Sequence, residues 1–506
     1  MCYGFVIDHR KCIGCHACTV ACKEENQVPL GAFRTWVKYV EKGTFPHTRR
    51  YFSVLRCNHC DNAPCVAICP TVALYRRADG IVDFDGARCI GCKSCMQGCP
   101  YDALYIDPNT NTAAKCHYCA HRLEVGLEPA CVIVCPERAI VAGDLDTPSS
   151  PIARLVAREQ VEVRKPEQGT RPKVFYVGAD SSALTPSLQA PASAYLWGQR
   201  SEGEVDLVRM AAAVQALDRD GDGALSRPVY DAPHAPRPWG WKVSAYLWTK
   251  SVSAGALMMA ALDRFMLLTR GDALFDTAAP VVALVFLALT MALLVWDLKR
   301  PDRFHYVLLK PHWGSWLVRG AYILMTYGLV AALWLLTAPP QHRLLVLPAL
   351  VLAAGAAGYS AFLFGQAEGR DFWQSPLLLP HLIVAAILGG AASLVIVGVL
   401  MNASEVAVLS MGGFLALALV VHGALLFAEL GVAHANTDVA RAARLITRGA
   451  YRARFWGVTI VAGVLLAFIA IVFVPGGMVI GALLALTGLW VYEDLWVKAG
   501  QSVPLS

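Results

Sequence analysis

From residue 239 onward the chain alternates long apolar runs with short polar breaks. A helix rises about 1.5 Å per residue, so about twenty apolar residues cross the hydrocarbon of a bilayer. Eight runs are of that order: 243–262, 278–296, 317–336, 344–364, 377–400, 406–430, 457–474 and 476–492. Aromatic residues collect near their ends (Trp239, Trp241, Trp313, Trp316, Trp373, Trp456, Trp490, Tyr492), as interfacial belts do. The pattern predicts an all-α membrane bundle of eight transmembrane helices over 239–498, with a tail at 499–506. Residues 1–165 carry no such runs. The stretch 166–238 is rich in Pro, Gly, Ser and charge and reads as a connector. Within it, Val205, Val208, Ala212 and Leu217 predict a short amphipathic helix.

Composition agrees with burial in lipid: 56% of residues are hydrophobic and 16% charged. The net charge of +6 comes without a basic stripe interleaved with aromatics, so nucleic acid is not an expected partner. The loops then set an orientation. On the side shared by both ends of the bundle lie Arg237, Lys242, Lys299, Arg300, Arg303, Lys310, Arg319, Arg370, Arg441, Arg444, Arg448, Arg452, Arg454 and Lys498. The other side has Arg264, Arg270 and Arg343. Positive loops stay in the cytoplasm. The expected location is the cytoplasmic (inner) membrane, multi-pass, with the N-terminal third facing the cytoplasm. Met1–Arg10 shows no apolar core of signal-peptide length, in keeping with this expectation.

All seventeen cysteines precede residue 136. Sixteen form four runs: Cys12, Cys15, Cys18, Cys22; Cys57, Cys60, Cys65, Cys69; Cys89, Cys92, Cys95, Cys99; and Cys116, Cys119, Cys131, Cys135. Three runs end in Cys-Pro, at Pro70, Pro100 and Pro136. The spacing C-x2-C-x2-C-x3-C-P is the bacterial ferredoxin run, in which three cysteines wrap one cube and the fourth ligates the neighbouring cube. Sixteen thiolates are the ligand count of four 4Fe–4S clusters. Runs two and three lie close together in sequence. Run four holds eleven residues between Cys119 and Cys131 and must reach back to run one. A disulfide framework has no need of this rhythm. Cys12-Ile13-Gly14-Cys15-His16 also fits a c-type haem attachment pattern, but it is embedded in a complete cluster run. Cys2 reads as a free thiol.

The cysteine runs resemble the four-cluster electron-transfer subunits of molybdopterin oxidoreductases, the family of the dimethyl sulfoxide, polysulfide and formate enzymes. That resemblance implies an α+β, ferredoxin-like fold with tandem dicluster units over 1–165. It implies ligand sets of Cys12, Cys15, Cys18 with Cys135, and of Cys22, Cys116, Cys119 with Cys131. The second pair of sets is Cys57, Cys60, Cys65 with Cys99, and Cys89, Cys92, Cys95 with Cys69. In relatives the first cluster faces the catalytic subunit, and the counterpart of the Cys57 set faces the membrane. The implied partner is a cytoplasmic molybdopterin-containing catalytic subunit acting on formate or a sulfur compound, with a hydrogenase as the alternative.

The membrane half is similar to NrfD-type, quinone-binding membrane subunits. The likeness is carried by Trp239-Gly240-Trp241-Lys242 through Ala254-Gly255, by Arg300-Pro301-Asp302-Arg303-Phe304, and by Tyr359 through Trp373. It implies menaquinone or ubiquinone as exchangeable substrate. An Asn, a His and a Tyr of those relatives align with Val243, Tyr246 and Tyr359. Tyr246 can still donate a hydrogen bond, and Lys250 lies one turn further along the same helix face. Tyr246, Lys250 and Tyr359 are therefore the expected quinone contacts.

Ionisable groups within the spans are costly, which makes Lys250, His381, His422 and Glu429 functional candidates. His422 and Glu429 sit seven residues apart on one helix face, as a proton path to quinone requires. A redox-driven proton-translocating module is the competing reading of these groups. His381 and His422 could also clasp a haem, although the resembled family implies none. The linker segment Asp218-Arg219-Asp220-Gly221-Asp222 follows the start of a calcium-loop rhythm, but its twelfth position is Val229 rather than a bidentate Glu.

Overall fold

The computed structural model describes residues 1–44, 46–189, 226–232, 238–269, 271–432, 434 and 436–506. The amphipathic helix expected at 205–217 and the acidic turn at 218–222 lie outside the described residues. The chain divides into two compact units, Met1–Pro238 with Pro504–Ser506, and Trp239–Val503.

The first unit is α+β. Its central sheet has the order Ile140–Asp144, Tyr3–Asp8, Val174–Val177, Val161–Glu162. Tyr3–Asp8 runs antiparallel to Ile140–Asp144 and parallel to Val174–Val177. Side chains alternate across a strand, so Phe5 and Ile7 join one apolar core with Val174, Tyr176 and Ile140. Val6 and Val177 face the other way, onto Ile152 of the helix Pro151–Arg158. That helix starts where the Ser150 hydroxyl accepts from Ala153 N (3.1 Å). A long hairpin pairs Thr35–Thr44 with His47–Arg56, and Ser226–Tyr230 adds a third strand to it. Two small hairpins follow, Leu74–Arg76 with Val82–Phe84 and Leu104–Ile106 with Ala113–Lys115. The sheet extends beyond residue 165. The run Val174-Phe175-Tyr176-Val177 covers the free edge of Tyr3–Asp8, which an unpaired strand would leave exposed. Lys38 Nζ donates to Ser506 O (2.9 Å), and Arg164 Nη2 donates to Leu505 O (3.0 Å).

The second unit is helical. Its long helices are α1 (Trp241–Met266), α2 (Leu274–Asp297), α3 (Trp316–Leu336), α4 (Pro339–Gly365), α5 (Leu378–Leu400), α6 (Glu405–Gly431), α7 (Arg454–Phe473) and α8 (Met478–Gly500). Seven of them, α2 to α8, are long and apolar enough to cross a membrane. α1 is 26 residues long but less apolar. Its neighbours explain this. α2, α4, α5 and α8 pack around it, most of its side chains are buried, and it carries Ser244, Thr249, Lys250, Ser251, Ser253 and Asp263 in the interior. A helix shielded from lipid on most sides need not be apolar all round.

α1 and α5 cross with their backbones in contact. A Cβ on Gly390 would stand 2.1 Å from the Gly255 carbonyl carbon. Small residues at such a crossing give van der Waals packing where lipid supplies no hydrophobic drive. Gly463 of α7 and Gly488 of α8 meet in the same way. α8 continues to Gly500, eight residues past the end of its apolar run. Between α6 and α7, the helix Thr437–Thr447 buries Ala442, Ala443 and Ile446.

Candidate functional site

The four cysteine runs fold into one recurring local shape. In each opening C-x-x-C, the residue before the second cysteine has positive φ: Gly14 (71°), His59 (44°), Gly91 (68°) and Tyr118 (63°). This conformation is strained for His59 and Tyr118. It turns a backbone N–H back onto the first sulfur. His59 N, Gly91 N and Tyr118 N donate to Cys57, Cys89 and Cys116 Sγ at 3.5, 3.4 and 3.4 Å. Two residues after each Cys-Pro, the chain turns again at Val72, Asp102 and Arg138, all with positive φ. The Pro excludes continuation of the short helix and sends the chain away from the loop it has just formed.

Tertiary packing brings distant cysteines together. Cys12, Cys15, Cys18 and Cys135 line one cavity. Cys89, Cys92, Cys95 and Cys69 line another. Cys22 has Cys116, Cys131 and Cys119 for neighbours. Cys65 has Cys99, Cys57 and Cys60. Among the described residues, no three His, Cys, Asp or Glu side chains converge on a single ion. Quartets spread around a cavity fit an inorganic cube better than one tetrahedral ion, whose sulfur ligands sit at about 2.3 Å. Further donors point at sulfur: Ala139 N to Cys135 (3.2 Å), Ala113 N to Cys89 (3.3 Å), and Asn26 Nδ2 to both Cys22 and Cys119 (3.7 Å). Such bonds stabilise cluster thiolates and tune their potentials.

Burial works against the thiolates themselves. It pushes the Cys18 thiol up to about 11 and Cys116 up to about 12, with Arg56 opposing in both cases. Arg56 lies 1% exposed in the hairpin strand that ends beside Cys57. Its Nη1 donates to Cys131 Sγ at 3.2 Å, and its guanidinium lies 4.5 Å from the Phe5 ring centroid. Desolvation alone would lower its pKa. Cys131, Cys116 and Cys18 outweigh that and keep it charged. Arg56 therefore lies close to cysteines of two quartets, Cys18 of one and Cys116 and Cys131 of the other. Sequence reading did not single it out, because nothing in the local pattern Val54-Leu55-Arg56-Cys57 announces a buried cation.

In the helical unit, Tyr246, Lys250 and Tyr359 come together. Lys250 Nζ donates to Ala357 O (2.9 Å) and to Ser360 Oγ (2.7 Å), and stands 4.8 Å from the Tyr359 ring centroid. Ser360 also neighbours the hydroxyls of Tyr246 and Tyr359. Lys250 is 1% exposed, so it does not reach out to the interface. Gly320 leaves the space that Tyr359 occupies, since a Cβ there would lie 2.2 Å from the ring. Val243 is buried on the same helix.

His422 and Glu429 are joined by a third residue. His381 Nδ1 lies 3.4 Å from Glu429 Oε2, and its ring meets the His422 ring edge-on at 4.9 Å. The two imidazoles are in edge-to-face contact. Glu429 is buried and accepts from Tyr492 OH (2.9 Å) and Trp496 Nε1 (3.2 Å). Glu493, one residue beyond the expected end of the last span, is 5% exposed and faces Lys250. The signal for it was present: Leu495, Trp496 and Val497 continue the apolar pattern past it.

Residues 48–145 match the family model described as a 4Fe-4S dicluster domain, and residues 232–504 match that of Polysulphide reductase, NrfD. A tetrathionate reductase subunit of Salmonella typhimurium is 48% identical over 199 residues, covering 38% of this chain and 79% of that protein. A putative dimethyl sulfoxide reductase iron-sulfur subunit of Halobacterium salinarum is 34% identical over 265 residues, 46% of this chain and 96% of its own. A polysulfide reductase component of Wolinella succinogenes is 42% identical over 180 residues, 35% of this chain and 93% of its own. This protein belongs to the NrfD family of membrane proteins, with an iron–sulfur electron-transfer unit of the dicluster kind fused ahead of its membrane part.

Proposed function

We propose that this protein relays electrons through four 4Fe–4S clusters between a molybdopterin-containing catalytic subunit and a membrane quinone. The observation that carries the reading is the gathering of sixteen cysteines, distant in sequence, into four quartets of one recurring shape. The ligand sets are Cys12, Cys15, Cys18, Cys135; Cys22, Cys116, Cys119, Cys131; Cys57, Cys60, Cys65, Cys99; and Cys89, Cys92, Cys95, Cys69. When bound, the clusters supply single-electron transfer. The protein's own groups bury them, donate to their sulfurs and place Arg56 close to two of them.

Eight spans, α1 to α8, form the membrane half. The Lys and Arg excess in the loops at one end of the bundle supports a cytoplasmic orientation for the cluster-bearing half. The relatives named for tetrathionate, dimethyl sulfoxide and polysulfide reductases support a catalytic partner acting on a sulfur compound. Tyr246, Lys250 and Tyr359 serve the quinone exchange, and His422 and Glu429 serve its protons. The buried titratable groups also support a second reading, in which the membrane half moves protons across the bilayer.

The experiment is anaerobic addition of decylubiquinol to the purified full chain in proteoliposomes. Cluster reduction, read as bleaching of the visible absorbance, supports the relay. Net proton transfer beyond quinone chemistry in the same vesicles favours translocation. Clusters that reduce with dithionite but never exchange electrons with any quinone or quinol would overturn the assignment.

A further inference from the structure

A small cavity lies between α1, α5 and α8, near the end of the bundle where α1 starts and α8 stops. Leu247, Leu382 and Ala385 form apolar walls, and Tyr492 and Trp496 bring aromatic faces. Apolar walls, aromatic faces and few polar groups are the lining that a flat ring favours. Two titratable groups interrupt this lining, His381 and Glu493.

Each is buried and carries unpartnered atoms. His381 is 4% exposed, and its Nε2 has no hydrogen-bond partner among the described residues. Glu493 is 5% exposed, and among the described residues its oxygens have no hydrogen-bond partner of good geometry, the Ser251 hydroxyl being the polar side chain beside them. Bare polar atoms in such surroundings carry a desolvation penalty unless a ligand satisfies them. Each is also backed by a second charge-bearing group. Glu429 holds His381 from the Nδ1 side, while Tyr492 and Trp496 fix Glu429. Lys250 is the charged neighbour behind Glu493. The ring of Tyr492 lies flat against His381, at 4.9 Å and 2°, which restricts how the imidazole can turn.

We infer that this cavity seats the ring of the quinone, with His381 and Glu493 as the groups that exchange protons with its two oxygens. This deepens the proposed function and rests on its assignment of quinone as the membrane partner. The chemistry balances. The ring gains two electrons from the iron–sulfur unit. One carbonyl oxygen takes a proton from the His381 imidazolium Nε2–H, and the other takes one from the Glu493 carboxyl. Both carbonyls become hydroxyls. Glu429 and His422 lie beside His381 for its reprotonation, and Lys250 lies beside Glu493. The reverse sequence oxidises the quinol. A lipid tail in the same cavity would leave both polar groups bare, so an apolar occupant fits less well. Tyr246, Lys250 and Tyr359 then form the polar support behind Glu493.

The test uses the full chain in detergent and the fluorescent quinone-site probe 2-heptyl-4-hydroxyquinoline N-oxide. Wild type quenches the probe saturably. Ala385→Phe fills the cavity and weakens that binding by about tenfold or more, while the paramagnetic cluster signals stay as in wild type. Glu493→Gln and His381→Gln retain the probe but lower decylubiquinone reduction by about a hundredfold, the scale of a lost proton-transfer group. Wild-type affinity in Ala385→Phe, or wild-type turnover in both polar variants, overturns the inference. If Ala385→Phe fails to assemble, the isosteric Glu493→Gln carries the test alone, and undiminished turnover sinks it. A wild-type protein that neither binds the probe nor reduces any quinone instead refutes the quinone reading beneath it.

Discussion

Replacing Arg56 with Gln removes a positive charge from beside two proposed clusters while retaining a polar side chain of similar reach. Arg56 Nη1 sits 3.2 Å from Cys131 Sγ, and the residue is 1% exposed, so water screens it little. An electron added to a cluster at about 5 Å feels that charge by about 3 kcal/mol at an effective dielectric near 20. A one-electron couple converts about 1.4 kcal/mol into 59 mV. Allowing half for reorganisation of the site, the couples ligated by Cys18 and by Cys116 and Cys131 should fall by about 70 to 140 mV. The couple of the Cys89 set, the one with no member beside Arg56, should move least. The assay is a redox titration of the full chain followed by paramagnetic resonance, with Arg56→Lys as a control that restores most of the loss. Unmoved potentials in Arg56→Gln, or a shift of the Cys89 couple as large as the others, would refute the electrostatic placement of Arg56.

Tyr359→Phe removes a hydroxyl from the group around Ser360, and quinone turnover should slow severalfold while reduction of the clusters by dithionite is unchanged; equal turnover would remove Tyr359 from the site. Gly390→Val drives a side chain into the Gly255 backbone, so the protein should lose about 2 kcal/mol or more in detergent unfolding, whereas Gly413→Val, with open space around it, should lose little. Burial holds His9 down at about 4, against an ordinary value of 6.5, with no hydrogen-bond partner on either ring nitrogen among the described residues. The unfolded chain binds this proton first, so the stabilisation is complete above pH 6.5 and is lost as pH falls towards 4, by about 3 kcal/mol in all. A melting temperature that stays flat over that window would contradict this.

The cysteine rhythm was legible because cluster ligation imposes fixed local spacing. The long helices were legible because lipid imposes a continuous run of apolar residues. What escaped depends on contacts between elements. α1 was expected to resemble the other spans, yet its neighbours shield it from lipid, which lets it carry Lys250 and a row of hydroxyls. Glu493 fell beyond the end drawn for the last apolar run, since a carboxylate ends a hydropathy window even where the helix continues to Gly500. His422 and Glu429 were visible as a pair on one face, but the imidazole that joins them comes from α5, and only packing brings His381 there. Arg56 gave no local sign of burial against sulfur. The strand Val174–Val177 was hidden in a stretch whose Pro and Gly content reads as linker.

Metal content tests the central claim most directly. Protein purified without oxygen should contain close to sixteen irons and sixteen acid-labile sulfides per chain, and reduction should produce interacting paramagnetic signals from several clusters. A chain holding eight irons or fewer after full reconstitution, or one with its cysteines joined in disulfides, would contradict the account.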